Sequence, residues 1–257
     1  MKAVILAGGK GTRISEESLM KPKPMIEIGE KPLLWHVMNT YSKYGINDFI
    51  ICGGYKQNII KQYFANYALY NSDITFDFKH NTFQTHNNVS ENWTVTVVDT
   101  GRETMTGGRI KRIQKYVGDE TFLLTYGDGL SDVNINEVIK KHRETNAYVT
   151  LTAVQPTGRF GLVTIEDNGY ISTFAEKAEG DREWINGGYF VCEKEIFNYI
   201  EGDSTIWERK PLENIAKDGK LFAYKHQGFW RCMDTLKDKM DLEELWESGN
   251  AKWEVKK

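Results

Sequence analysis

The sequence predicts an open α/β fold, a mixed, mostly parallel sheet flanked by helices, with additional antiparallel strands in the C-terminal half. Three observations carry this. Short continuous apolar runs at 3–7, 49–52 and 121–126 read as strands buried on both faces. Amphipathic stretches at helical spacing lie between them and can cover such a sheet from both sides. Beyond residue 155 the pattern shifts to short alternating runs around turn residues, as hairpins require. A length of 257 residues suits a single α/β domain with halves 1–150 and 151–257.

Each element has its own signal. Residues 3–7 form the first strand, and Gly8-Gly9-Lys10-Gly11 ends it. A helix spans 32–44, with Leu33, Leu34, Val37, Met38 and Tyr41 on one face and Gly45 as its stop. The strand at 49–52 precedes a helix over 56–67, carried by Ile59, Ile60, Tyr63, Phe64 and Tyr67. Residues 71–100 are a polar excursion with alternating strands at 75–79 and 94–98. A lid, a subunit contact and a plain hairpin all fit it. Ile110, Ile113 and Val117 mark a helix over 108–117, and the strand at 121–126 follows. Asn134 caps a helix carrying Ile135, Val138, Ile139 and His142. Residues 147–154 are a strand. Residues 161–165 and 170–174, turned at Asp167-Asn168-Gly169, form a hairpin. Strands at 185–192 and within 221–233 come next, and a helix over 235–247 closes the fold.

Composition excludes several function classes. Lys+Arg number 33 against 36 Asp+Glu, a formal net charge of −3, which is not the footprint of a protein that wraps nucleic acid. Any polyanion it binds must be small and held locally. Cys52, Cys192 and Cys232 lie far apart with no CxxC, and read as reduced thiols. No apolar run approaches the ~18 residues of a spanning helix. The apolar start at 1–7 is too short for a secretion signal. The expectation is a cytoplasmic protein with no membrane and no nucleic-acid partner. The histidines show no HxH or HExxH spacing, so none is assigned to a metal.

The Gly-rich turn at 8–11 is the chemical centre of the sequence. Glycines let backbone approach a ligand, and their amides form an anion-binding concavity. In an open α/β sheet, ligands sit at the carboxyl ends of strands, as here. There is no GxxxxGK[ST] string, and Gly9-x-Gly11-x-x-Ile14 lacks the third glycine of a dinucleotide fingerprint. Asp128, after the strand at 121–126, and Asp234, after another apolar run, could hold one octahedral cation if the fold joins them. Alternatively, Asp234-Thr235 could simply cap the last helix.

The string GGxGTR, here Gly8-Gly9-Lys10-Gly11-Thr12-Arg13, followed by Lys21-Pro22-Lys23-Pro24-Met25, resembles the signature of sugar-1-phosphate nucleotidylyltransferases. Thr106-Gly107-Gly108-Arg109, Tyr126-Gly127-Asp128, Phe160-Gly161, Glu176-Lys177, Asn186-Gly187-Gly188 and Met233-Asp234-Thr235 follow in the family's order. The segment GGKGTRISEES at 8–18 is similar to the cytidylyl-transferring branch. The resemblance implies a single Rossmann-like nucleotidyltransferase domain over 1–257, with nucleotide bound by 1–150 and sugar phosphate by 151–257. It implies Mg²⁺ as cofactor, CTP and glucose 1-phosphate as substrates, and CDP-glucose and pyrophosphate as products.

The implied roles follow residue by residue. Leu6, Ala7, Gly8, Gly9, Lys10, Gly11, Thr12 and Arg13 hold the nucleotide, with Arg13 on the departing pyrophosphate. Lys23 serves the α-phosphate and the incoming sugar phosphate. Each flanking proline fixes φ, so the 21–24 segment is expected to stay extended. Lys21 is expected to be solvated. Thr104, Gly108 and Arg109 lie toward the base. Asp128 and Asp234 hold the metal, and Arg13, Lys23 and Asp128 form the catalytic set. Gly161, Glu176, Lys177 and Asn186 bind the sugar phosphate. Trp230-Arg231 reads as core packing. The base stays open between cytosine, uracil and thymine, since Arg carries donors only and all three bases offer O2. A non-catalytic nucleotide-sugar-binding subunit and a metal-dependent glycosyltransferase also stand open, though Gly127-Asp128-Gly129 lacks the latter's Asp-x-Asp. The excursion suggests a homo-oligomer.

Overall fold

The computed structural model describes residues 1–11, 14, 19–88, 91–155, 161–165, 171–176 and 184–254, with backbone alone at 88, 161–165 and 171–176. In β1 (Ala3–Leu6), Ala3 and Ile5 join one apolar cluster while Val4 and Leu6 join a second. Successive strand side chains point to opposite faces, so an unbroken apolar run needs cover on both.

The chain continues through a ribbon of β2 (Glu27–Ile28) and β3 (Lys31–Pro32), helix α1 (Leu33–Ser42) and β4 (Asp48–Gly53). Helices α2 (Gln57–Ala65) and α3 (Tyr67–Tyr70) lead to a hairpin, β5 (Ser72–Asp77) with β6 (Thr82–Asn88). Then come β7 (Thr94–Asp99), α4 (Thr106–Arg112), α5 (Gln114–Val117), β8 (Phe122–Tyr126) and β9 (Gly129–Ser131). Helix α6 (Ile135–Arg143) and β10 (Val149–Val154) follow. The remainder comprises β11 (Gly161–Ile165), β12 (Ile171–Glu176), β13 (Ile185–Cys192), α7 (Lys210–Lys217), β14 (Leu221–His226), β15 (Trp230–Cys232) and α8 (Leu236–Glu247).

Among the described residues the main sheet has seven strands, ordered β14-β10-β13-β8-β1-β4-β7. β13 runs antiparallel to both its neighbours, and the other pairs are parallel. Leu33, Leu34, Val37, Met38 and Tyr41 of α1 close one face, together with Val138 and Ile139 of α6. Ile110, Ile113, Val117, Trp207 and Ile215 close the other. From β1 the chain steps outward to β4, then later returns to β8 on the opposite side. Leu6 therefore pairs with Cys52 on one flank and Tyr126 on the other. That reversal opens a crevice at the carboxyl ends of β1 and β8. No helix among the described residues is long and apolar enough to cross a membrane.

The α/β prediction and the Asn134 cap agree with the structure, the Asn134 side chain accepting from the Glu137 amide at 3.2 Å. Several expectations change. Thr94–Asp99 is no part of an excursion: it pairs along β4 as the edge of the main sheet. Val95 and Val97 face one apolar cluster and Val98 the other. The excursion is the β5–β6 hairpin, whose second strand is too polar to show in the sequence. The helix expected over 108–117 divides at Ile113, and that over 56–67 at Asn66. The turn at 166–170 lies outside the described residues.

His36 on α1 is 1% exposed, with Nε2 2.8 Å from the Ile28 carbonyl and Nδ1 3.3 Å from the Trp253 indole nitrogen. Since the indole can only donate, Nδ1 accepts and Nε2–H donates, which fixes the neutral tautomer. Burial depresses its pKa to about 4 from 6.5, despite the favourable Ile28 bond. A depressed histidine contributes stability that is complete above the unfolded value and lost as pH falls toward the folded one. Between pH 6.5 and 4 the loss is about 3 kcal/mol at 1.36 kcal/mol per unit. Urea unfolding at pH 7 and pH 4.5 should show the parent losing more stability than His36→Gln; equal losses would remove His36 as the source.

Candidate active site

The turn after β1 is anchored before it can bind anything. The Ala7 amide donates to Cys52 O at 3.1 Å, and Gly8 O accepts from the Tyr55 amide at 3.2 Å. Arg109, 5% exposed on α4, reaches the same point. Its terminal nitrogens donate to Gly8 O (3.0 Å), Gly53 O (3.2 Å), Thr100 Oγ1 (2.8 Å), Gly101 O (2.7 Å) and Arg102 O (3.4 Å). One guanidinium thus ties the ends of β1, β4 and β7. Burial lowers its pKa, partly offset by neighbouring charges. Gly8 must lack a side chain because a Cβ there would lie 2.2 Å from Arg109 Nη1. Gly108 has a comparable reason: its Cβ would meet the Asp203 backbone at 2.5 Å. Arg109 lines the crevice, but its terminal nitrogens are engaged by the turns it holds.

Lys23 is the hub of the crevice. Pro22 is extended, at φ −66° and ψ 148°, but Lys23–Met25 forms one 3-10 turn rather than the extended frame expected. The Ile26 amide closes this turn on Lys23 O at 3.1 Å, and Pro24 accommodates it because its fixed φ is helical. Lys23 Nζ donates to Asp128 Oδ2 at 2.8 Å and Asp234 Oδ1 at 2.7 Å. Burial opposes its charge, but Asp128, Cys232 and Asp234 outweigh this and raise its pKa. Lys21, by contrast, pairs with Glu27 at 2.8 Å near the surface.

Backbone pairing brings the two distant aspartates together. Asp128 sits between β8 and β9, and its carbonyl accepts from the Met233 amide at 2.9 Å. β9 pairs antiparallel with β15, with Gly129 opposite Cys232. Asp234 is therefore held alongside Asp128. Thr235, not Asp234, caps α8: its hydroxyl accepts from the Asp238 amide at 3.2 Å, and Asp238 Oδ2 accepts from the Thr235 amide at 2.8 Å. Ligand atoms of Asp128, Cys232 and Asp234 lie within 4.8 Å of one another, so this group can hold a divalent cation. Two carboxylates suit a hard ion, and a position already holding an ammonium suits a cation.

Two cavities meet at this cluster. The first, about 360 Å³, is lined by Leu6, Ala7, Gly8, Gly9, Gly11, Lys23, Thr104, Arg109, Asp128 and Asp234, with Ile14, Pro24, Met105, Thr106, Tyr126 and Gly127. The second, about 380 Å³, is lined by Asn186, Glu208, Trp230 and Cys232 among others, and shares Tyr126, Asp128 and Asp234 with the first. Gly108 packs behind the first cavity, against Asp203. Lys10 lies at the surface, paired with Glu103 at 2.8 Å. Thr12, Arg13 and Lys177 lie outside the described residues, and Gly161 and Glu176 are described by backbone alone, paired across β11–β12. Trp230 is half-buried and lines the second cavity, rather than sitting wholly in the core, and its indole donates to Gly187 O at 2.7 Å. Sequence reasoning missed Thr106, Glu208 and Cys232 as lining residues. Thr106 opens the Thr106–Arg109 motif but carried no role of its own there, and Glu208 stands in a loop without a motif.

Comparison with known proteins agrees with this geometry. A family model described as "Nucleotidyl transferase" matches residues 2–231. The chain is 53% identical over 256 residues to "Glucose-1-phosphate cytidylyltransferase" of Salmonella typhi, covering 99% of each. It is 44% identical to "Probable glucose-1-phosphate cytidylyltransferase" of Bacillus subtilis, covering 99% of this chain and 100% of that one. The crystal structure of HddC from Yersinia pseudotuberculosis shares the fold, with a TM-score of 0.69 at 23% identity over 95% of this chain and 99% of that one. The ordered motifs, the crevice beside β1 and the full-length similarity together place this chain in the nucleotidyl transferase family.

Proposed function

We propose that this protein transfers a cytidylyl group from CTP to glucose 1-phosphate, giving CDP-glucose and pyrophosphate. The observation that supports it most is the pair of cavities meeting at Lys23, Asp128 and Asp234, in a chain with full-length similarity to cytidylyltransferases. CTP occupies the first cavity and the hexose the second, so that their phosphates meet at the shared wall. The sugar phosphate oxygen attacks the α-phosphorus in line as pyrophosphate leaves. Positioning and charge neutralisation supply the catalysis, and no protein nucleophile is needed. Lys23 offers its ammonium to the α-phosphate and the attacking oxygen. Asp128 and Asp234 would hold Mg²⁺, which when bound offsets charge on the phosphate oxygens. Arg13 takes the pyrophosphate end. Thr104 and the Arg109-held turn take the base side. Glu176, Lys177, Asn186 and the Gly161 amide take the sugar phosphate.

We read 1–257 as one functional domain, because the main sheet joins strands of both halves. The exposed Phe76, Phe78 and Phe83 of the β5–β6 hairpin support a homo-oligomer formed through that hairpin. The reaction belongs in the cytoplasm, since neither charged substrate crosses a membrane unaided.

CTP, UTP, dTTP and ATP, each supplied with glucose 1-phosphate and Mg²⁺, separate the readings by phosphorus NMR. CDP-glucose and pyrophosphate are expected from CTP. No sugar nucleotide from any of the four would overturn the reaction, and preference for UTP would overturn the base alone. Asp128→Asn should lower kcat by about 10²-fold or more with circular dichroism unchanged, as loss of a transition-state charge contact does. Lys23 and a divalent cation share the same carboxylates. Lys23→Met should therefore bind Mn²⁺ more tightly than the parent in the absence of nucleotide, read by electron paramagnetic resonance. Unchanged Mn²⁺ affinity would show that the ammonium does not compete.

A further inference from the structure

The wall of the second cavity carries a carboxylate that the proposed phosphate chemistry does not use. Glu208, in the loop before α7, accepts from the Tyr126 hydroxyl at 2.5 Å through Oε1 and from the Thr106 hydroxyl at 2.7 Å through Oε2. Tyr126 stands in the wall common to both cavities, and Thr106 lines the first. The Asn186 side chain also hydrogen-bonds Tyr126, so Asn186, Tyr126 and Glu208 form one polar row. The row is rigid at its centre, since the Tyr126 ring packs on Gly188, where a Cβ would come within 2.5 Å of Cδ2. Asp128 and Asp234, the other carboxylates lining this cavity, are turned to Lys23.

We infer that Glu208 is a specificity-determining residue that accepts hydrogen bonds from hydroxyls of the hexose ring. The inference rests on the cytidylyltransferase reading and adds the means of choosing the sugar. A carboxylate repels phosphate, so it suits the part of the ligand that is neutral and rich in donors. Each carboxylate oxygen has two acceptor sites, and each Glu208 oxygen uses one on the protein, leaving one for a hydroxyl. The Tyr126 and Thr106 hydroxyls fix the plane of the carboxylate. Glu208 is solvent-exposed in the unliganded chain, so it discriminates against a ligand lacking the matching hydroxyl to the extent that the bound hexose excludes water from its carboxylate.

The test compares the parent with Glu208→Gln on glucose 1-phosphate, galactose 1-phosphate, mannose 1-phosphate and the deoxyglucose 1-phosphates. In Glu208→Gln, KM for glucose 1-phosphate should rise about tenfold, and preference over at least one epimer should fall about tenfold, with KM for CTP unchanged. One deoxyglucose 1-phosphate should be a poor substrate for the parent yet almost equal to glucose 1-phosphate for the variant. An unaltered sugar preference, or a KM for CTP rising in step, would overturn the inference. Should Glu208→Gln fail to fold, Glu208→Asp replaces it: a carboxylate withdrawn by one methylene should shift the same epimer ratio. If the parent makes no sugar nucleotide at all, the reaction fails rather than the role of Glu208.

Discussion

An ammonium held between two carboxylates decides how the rest of this molecule is arranged. Lys23 Nζ lies 2.8 Å from Asp128 and 2.7 Å from Asp234, in a position largely closed to water. Burying the ammonium is unfavourable unless close pairing repays it, and without its two partly exposed carboxylates Lys23 would be left as an uncompensated buried charge. Three segments distant in the chain are thereby committed to one place. The 3-10 turn at Lys23–Met25 delivers the ammonium, the β8–β9 junction delivers Asp128, and the β15–α8 junction delivers Asp234. The Thr235–Asp238 capping box fixes where α8 starts, and so where the residue before it stands.

The same arrangement explains why so much charge can be handled by a protein whose net charge is only −3. Cations are placed at depth instead of over the surface. Lys23 stands where the cavities meet, and Arg109 stands under the Gly-rich turn with its donors on backbone carbonyls. A guanidinium spent on carbonyls stiffens three strand ends and lends its field to the space above them. The Gly8 requirement follows from that packing as much as from any ligand.

The sequence was most legible where local chemistry repeats with a fixed period. Strands buried on both faces and the amphipathic helix α1 could be read directly, because burial must be satisfied residue by residue. The Asn134 cap was readable too, since a cap acts within one turn. Legibility failed where pairing is non-local. Thr94–Asp99 alternates like an isolated hairpin strand, and only its bonds to β4 make it the sheet edge. β6 and the β9–β15 ribbon are too polar or too short to show a period. Glu208 belongs to no motif, and its place in the wall comes from where the loop before α7 returns to Tyr126.

What the sequence determined by itself was the class of fold, the Gly-rich turn at a strand end and the kind of chemistry its lysines and aspartates could serve. Those depend on residue type and short-range spacing. Only the tertiary structure decided that Asp128 and Asp234 share one ammonium and that Arg109 braces the turn. Each depends on strand order and register, which bring residues a hundred positions apart within hydrogen-bond distance. No local pattern in the chain encodes that separation.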